Sequence, residues 1–87
     1  MHVILVYDVA EERVNKLHRF VRTYLHWIQN SVFRGDITES NLEKLKDGIR
    51  DIIDENYDSV TIYVLPSERY LKKINIGIEK GNTKNIF

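Results

Sequence analysis

The chain has no cysteine, which excludes a disulfide framework, a thiolate metal site and a cysteine nucleophile. A small fold without disulfides fits a cytoplasm, and that is the location expected. One proline and four glycines among 87 residues leave no material for a linker, and no repeat or low-complexity tract divides the chain. A single domain over residues 1–87 is expected. Long hydrophobic runs are missing as well. The N-terminal MHVILVYDV is broken at Asp8, well short of the ~20 apolar residues that span a bilayer, and it lacks a signal peptide's basic flank and cleavage site. It reads as a strand of a soluble protein with no membrane partner. An excess of charge is absent too: the net charge is zero, which argues against generic, charge-driven binding to nucleic acid.

What is present is 43% apolar content, enough for one compact core. A chain of this length buries only roughly 60 to 65% of its unfolded surface, so its stability is expected to lean on a partner chain. The charges are unevenly spread. Arg13, Lys16, Arg19 and Arg22, with His18 and His26, form a stretch without acids. Arg69, Lys72, Lys73, Lys80 and Lys84 outnumber Glu68 and Glu79, and the compensating acids Glu39, Glu43, Asp47, Asp51, Asp54, Glu55 and Asp58 sit in the middle. Such a pattern gives a dimer basic regions under a neutral total, or simply solvated helix faces.

Residues 3–9 read as a buried strand. Val14, Leu17, Val21, Tyr24 and Leu25 recur at helical spacing, predicting a helix over residues 11–25 whose opposite face carries Arg13, Lys16, Arg19 and Arg22. Residues 27–37 are rich in β-formers but short for a hairpin, so short or bulged strands are expected, with a turn at Gly35-Asp36. A second helix over residues 38–55 carries Leu42, Leu45, Ile49, Ile52 and Ile53 on one stripe; Ser40 and Glu43 fit a capping box, and Gly48 marks close helix packing. Residues 58–65 alternate as a strand, Pro66-Ser67 ends it, and Leu71, Ile74, Ile76 and Ile78 form a last apolar segment.

Strand, helix, strand pair, helix, strand is the α+β, ferredoxin-like βαββαβ order, here with an extra C-terminal strand. Both helices cover one face of the sheet. The first strand also has Ile4 and Val6 on its other face, and residues 58–65 add Tyr63 and Leu65. A sheet with two apolar faces needs a second cover, and the economical one is a second copy stacked sheet to sheet about a two-fold axis.

Asp8 closes an apolar strand with a carboxylate just before a helix. It is either a helix cap or local turn residue, or a metal ligand. Alone it is too few donors for Mg²⁺, but a symmetric dimer doubles it. Tyr7 can aim a phenol at a phosphate or pack in the core. Ser31 can donate to a phosphate but lacks the neighbours of a nucleophile, and Phe33 suits packing or base stacking. His2, His18 and His26 lack zinc-ligand spacing, and no Gly-rich phosphate cradle is present.

Taken in order, Tyr7-Asp8-Val9, the Arg13 and Lys16 pair, Gln29-x-Ser31-Val32-Phe33, and Asp58-Ser59-Val60 followed by Ile62-Tyr63 resemble the signature of the CRISPR-associated protein two family. The match runs over nearly the whole chain. The resemblance implies a homodimer in spacer acquisition, with two first-strand aspartates facing each other over a cleft. It implies a metal-dependent endonuclease acting on RNA or double-stranded DNA, or a non-catalytic subunit bridging integrase subunits on duplex DNA. By position, Asp8 would hold Mg²⁺, or Mn²⁺, with Tyr7, Ser31 and Phe33 in the catalytic neighbourhood. Arg13, Lys16, Arg19 and Arg22 would bind nucleic acid. The segment from about residue 71 to 87 would be exchanged with, or packed on, the partner chain. One departure stands out: Trp27 occupies a position where some relatives carry an arginine, so an expected phosphate contact is replaced by a side chain that packs or stacks on a base.

Overall fold

The alternation of β-branched residues in the first strand sets the layers. Val3, Leu5 and Tyr7 are buried on one side while Ile4 and Val6 are half-buried on the other, as the two-residue repeat of a strand requires. The computed structural model describes residues 1–67 and 70–79. Its elements are β1 (His2–Asp8), α1 (Glu11–Val21), β2 (His26–Gln29), β3 (Val32–Asp36), α2 (Glu39–Ile52), β4 (Ser59–Ser67) and β5 (Tyr70–Gly77). Among the described residues the strands form one antiparallel sheet in the order β2-β3-β1-β4-β5. This is the expected ferredoxin-like arrangement with one strand added at the β4 edge.

Both helices pack on the side of the sheet that carries Val3, Leu5, Phe33, Val60, Ile62 and Ile76. Leu17 and Val21 of α1, and Leu42, Leu45 and Ile49 of α2, complete the core. Full burial of each such side chain is worth about 1.5 to 3 kcal/mol. The helices meet where Gly48 faces Phe20, and a Cβ at Gly48 would fall 2.0 Å from the tip of that ring. The expected close packing at Gly48 is therefore found, with an aromatic side chain filling the space.

Element ends and turns differ from the expectation in several places, and β4 runs on through Pro66 and Ser67, which were expected to end it. The first helix stops at Val21 rather than near residue 25, because Thr23 turns its hydroxyl back to the Phe20 carbonyl at 2.7 Å and the chain bends through residues 22–24. The second helix starts after Thr38, whose side chain accepts from the Asn41 amide at 3.1 Å; the Ser40 and Glu43 pair lies inside it. It ends at Ile52, as Ile53 is extended. The turn expected at Gly35-Asp36 lies instead at Asn30-Ser31, where Asn30 takes the left-handed conformation (φ 46°) that asparagine tolerates. Gly35 is a buried β3 residue with Leu25 against it. The expected bulge is present in β2, between Trp27 and Gln29.

β5 runs along the chain's own β4, from Ser59↔Gly77 to Ser67↔Tyr70, with a register shift beyond Val64. The tail from residue 80 onward lies outside the described residues. Gly77 (φ +93°) ends β5 against the backbone of Asp58, where a Cβ would fall 2.0 Å from the Asp58 carbonyl oxygen, while the Ile78 amide donates to that oxygen at 3.0 Å. Neither atom can move without breaking the ladder. Gly77→Ala is expected to lower stability by about 1 to 3 kcal/mol. A thermal melt measures it, and an unchanged midpoint would mean that β5 does not end against Asp58.

Candidate active site

The face of the sheet away from the helices has two parts. Ile4, Val6, Val32, Tyr63 and Leu65 form an apolar field of half-buried side chains. At one end of that field Asp8 closes β1, exposed, directly opposite Ser59 on β4. Such opposed residues have Cβ atoms about 5 Å apart. The Ser59 and Thr61 hydroxyls both donate to the Asn75 side-chain oxygen, at 3.2 and 2.8 Å. The Asn75 amide in turn donates to the carbonyls of Gly77 and Ile78. Three strands thus place a carboxylate beside an ordered row of hydroxyl and amide groups.

The connection that follows Asp8 is held from beneath. Asp58 is fully buried, and each of its oxygens takes two donors. One accepts from the Ala10 amide (2.9 Å) and an Arg13 terminal nitrogen (3.0 Å); the other accepts from Arg13 Nε (2.5 Å) and the Asp54 amide (2.9 Å). The Arg13 fork, with these backbone amides, holds the Asp58 carboxyl at about 2, below its ordinary 3.8, although burial opposes the shift. The same hydrogen bonding raises the Arg13 guanidinium. Bidentate pairing of this kind fixes direction as well as charge. It sets the Val9-Ala10 turn and therefore where Asp8 stands.

The structure distributes the other residues singled out in the sequence. Tyr7 and Phe33 lie on the helix side of the sheet, their ring centroids 6.2 Å apart, and both are buried. Burial raises the Tyr7 hydroxyl. They support β1 from behind and do not join Asp8 on the open face. Ser31 sits in the β2–β3 turn, where its carbonyl accepts from the Tyr7 amide at 3.2 Å. Arg13 is engaged with Asp58, whereas Lys16 and Arg19 of α1, and Arg22 at its C-terminal cap, are exposed. Among the described residues no group of three or more His, Asp or Glu side chains is placed to hold a metal ion. Asp58, Ser59 and Asn75 were not identified as site residues from the sequence. The signal for Asp58 was a carboxylate set directly before the apolar strand Val60–Val64; that for Asn75 was a polar residue between Ile74 and Ile76.

A ferredoxin-like sheet with an aspartate ending its first strand defines a recognisable class. The crystal structure titled cas2 superposes with a TM-score of 0.73 at 41% identity, covering 94% of this chain and 92% of that one. That of Streptococcus pyogenes Cas2 gives 0.70 at 31% identity, covering 78% and 89%. The protein named CRISPR-associated endoribonuclease Cas2 in Methanocaldococcus jannaschii is 49% identical over 99% of this chain and 75% of its own length. Its namesake in Pyrococcus furiosus is 48% identical over 99% of both chains. Residues 1–73 match the family described as CRISPR associated protein Cas2. The chain belongs to that family.

Proposed function

We propose that this protein is an endoribonuclease of a CRISPR system that acts as a homodimer, with the two Asp8 carboxylates facing each other across the sheet interface. The observation that carries the reading is the position of Asp8 at the end of an otherwise apolar open face. Stacking two such faces buries Ile4, Val6, Val32, Tyr63 and Leu65 and brings the strand ends together. The relatives' names support the reaction, since both are called endoribonucleases. Exchange of β5 between protomers would preserve the same β4–β5 ladder, formed between chains instead of within one.

In the dimer the paired carboxylates supply what one chain lacks. A divalent cation, Mg²⁺ or Mn²⁺, held between them would neutralise phosphate charge and lower the pKa of a bound water. The protein's own groups do the rest. Asp8 would orient the water, which gives a proton to solvent as its oxygen bonds to phosphorus; the bond to the leaving oxygen breaks, and that oxygen takes a proton from solvent. The Ser59, Thr61 and Asn75 row offers hydrogen bonds beside the reacting phosphate. A second reading, a scaffold that carries duplex DNA and bridges integrase subunits, draws on exposed Lys16, Arg19 and Arg22.

Incubating the chain with single-stranded RNA at protein concentrations on both sides of dimer formation tests the proposal. Cleavage that appears with the dimer and is lost in Asp8→Ala, with the dimer retained, is the expected result. Equal cleavage by Asp8→Ala would refute it. A scaffold would leave RNA intact and bind duplex DNA with strong salt dependence that weakens when Lys16, Arg19 and Arg22 are neutralised.

A further inference from the structure

The β2 edge of the sheet presents an indole to solvent. Trp27 is 52% exposed and its neighbour Ile28 48%, yet the Trp27 ring is not loose. Its Nε1 donates to the Asn30 carbonyl at 2.9 Å, across the turn that the left-handed Asn30 makes possible. His18 of α1 meets it edge to face, with ring centroids 5.3 Å apart and planes at 74°. His18 is itself braced by buried Phe33 at 5.0 Å. An aromatic surface fixed from two sides and open to water on the rest is built for a flat ligand.

Its surroundings specify the charge of that ligand. Residues 13–35 contain no aspartate or glutamate. Exposed Arg22 lies four residues beyond His18 and so on the same side of α1, and Arg19 is exposed beside it. Two alternatives fit less well. A second copy at this edge would set cation against cation. Addition of a regular strand is opposed by the bulge at Ile28, which interrupts the edge. In a nucleic-acid duplex the base faces are already occupied by their neighbours, whereas unpaired bases offer a free face to an aromatic side chain.

We propose that Trp27 is a stacking platform for an unpaired base of single-stranded RNA, with Arg19 and Arg22 holding the flanking phosphates. The ligand class rests on the endoribonuclease reading above. Trp27 is in register with Phe33, and Phe33 with Leu5, so its backbone stands two strands away from β1 and three residues short of Asp8, with its ring on the helix side of the sheet and Asp8 on the open face. Strand geometry makes the backbone separation about 14 Å. A single strand crossing the β2 edge reaches both places, and the platform would choose which part of an RNA lies unpaired at Asp8.

Trp27 is the chain's one tryptophan, so its fluorescence reports the contact directly. In full-length Asp8→Ala protein, which leaves RNA intact, titration with oligoadenylate and oligouridylate is expected to quench the emission saturably. A duplex of the same length is expected to leave it unchanged. Adding Trp27→Ala is expected to weaken binding of end-labelled oligoadenylate, followed by anisotropy, by about tenfold, and Trp27→Phe to restore most of it. Binding without quenching, or equal binding by Trp27→Ala, would overturn the platform and leave phosphate contacts alone. Quenching that follows protein concentration without RNA would overturn it in favour of a second copy. Quenching by RNA in a protein whose wild type cleaves none would sustain this inference while removing the endonuclease reading.

Discussion

Replacing Asp58 by alanine is expected to lower the free energy of unfolding by about 3 to 5 kcal/mol, the usual effect of removing one partner from a buried ion pair. The reason lies in what the carboxylate satisfies. Four donors converge on it, two from Arg13 and two from the backbone at Ala10 and Asp54. Alanine strands all four. Asparagine is little better, because either orientation of its amide turns an NH₂ toward a pair of N–H donors. Exchanging both partners for apolar residues, often a neutral change for a buried pair, is not expected to rescue this one, since the Ala10 and Asp54 amides would remain unpaired. Urea unfolding of Asp58→Ala, Asp58→Asn and the Arg13→Met, Asp58→Leu double variant measures these effects. A double variant as stable as the wild type would show that the backbone bonds contribute little.

The same carboxylate makes stability depend on acid. Its folded value, about 2, is below the ordinary 3.8, so the unfolded chain takes up the proton first. Its contribution is complete above 3.8 and is lost as pH falls toward 2; a shift of that size is worth about 2 kcal/mol. Asp58→Asn should therefore flatten the fall in unfolding free energy between pH 3.8 and about 2, the interval between the two values just given. An unchanged slope would assign the acid sensitivity to other carboxylates.

Much of this arrangement was legible from side-chain periodicity. The strand at residues 3–9, both helical stripes and the two apolar sheet faces follow from local alternation. Gly48 was readable too, since glycine within a helix stripe has few reasons to be there other than close packing. The turns were less so. Gly35-Asp36 looks like a turn until the opposing strands place Gly35 beneath Leu25, and asparagine at position 30 takes the left-handed conformation instead. Asp58 reads as a compensating acid at the start of a strand and as part of the family signature, with no role of its own, because nothing local shows that Arg13, 45 residues earlier, will meet it. Tyr7 and Asp8 are adjacent in sequence and look like one site, but a strand sends neighbours to opposite faces, and only Asp8 reaches the open one. Arg13 likewise reads as part of a basic helix face, yet its fork is spent on Asp58, leaving Lys16, Arg19 and Arg22 exposed.

Asp8→Ala is expected to reduce RNA cleavage by about two to three orders of magnitude, the range for loss of one group that stabilises charge in the transition state. Because one chain provides a single carboxylate, the more discriminating experiment mixes chains. If both copies of Asp8 are required, an equal mixture of wild-type and Asp8→Ala protein, equilibrated by subunit exchange, should keep about a quarter of the activity, the fraction of dimers with two intact aspartates. Independent sites would keep about half. Val6→Arg separates assembly from chemistry, since Val6 belongs to the half-buried apolar field and lies on the same side of β1 as Asp8. A charge there opposes stacking of two sheets while leaving the helix side untouched. Monomeric Val6→Arg that folds but does not cut RNA would tie the activity to the paired face. Cleavage by that monomer at the wild-type rate would place the reaction within a single chain and remove the reason for pairing Asp8 at all.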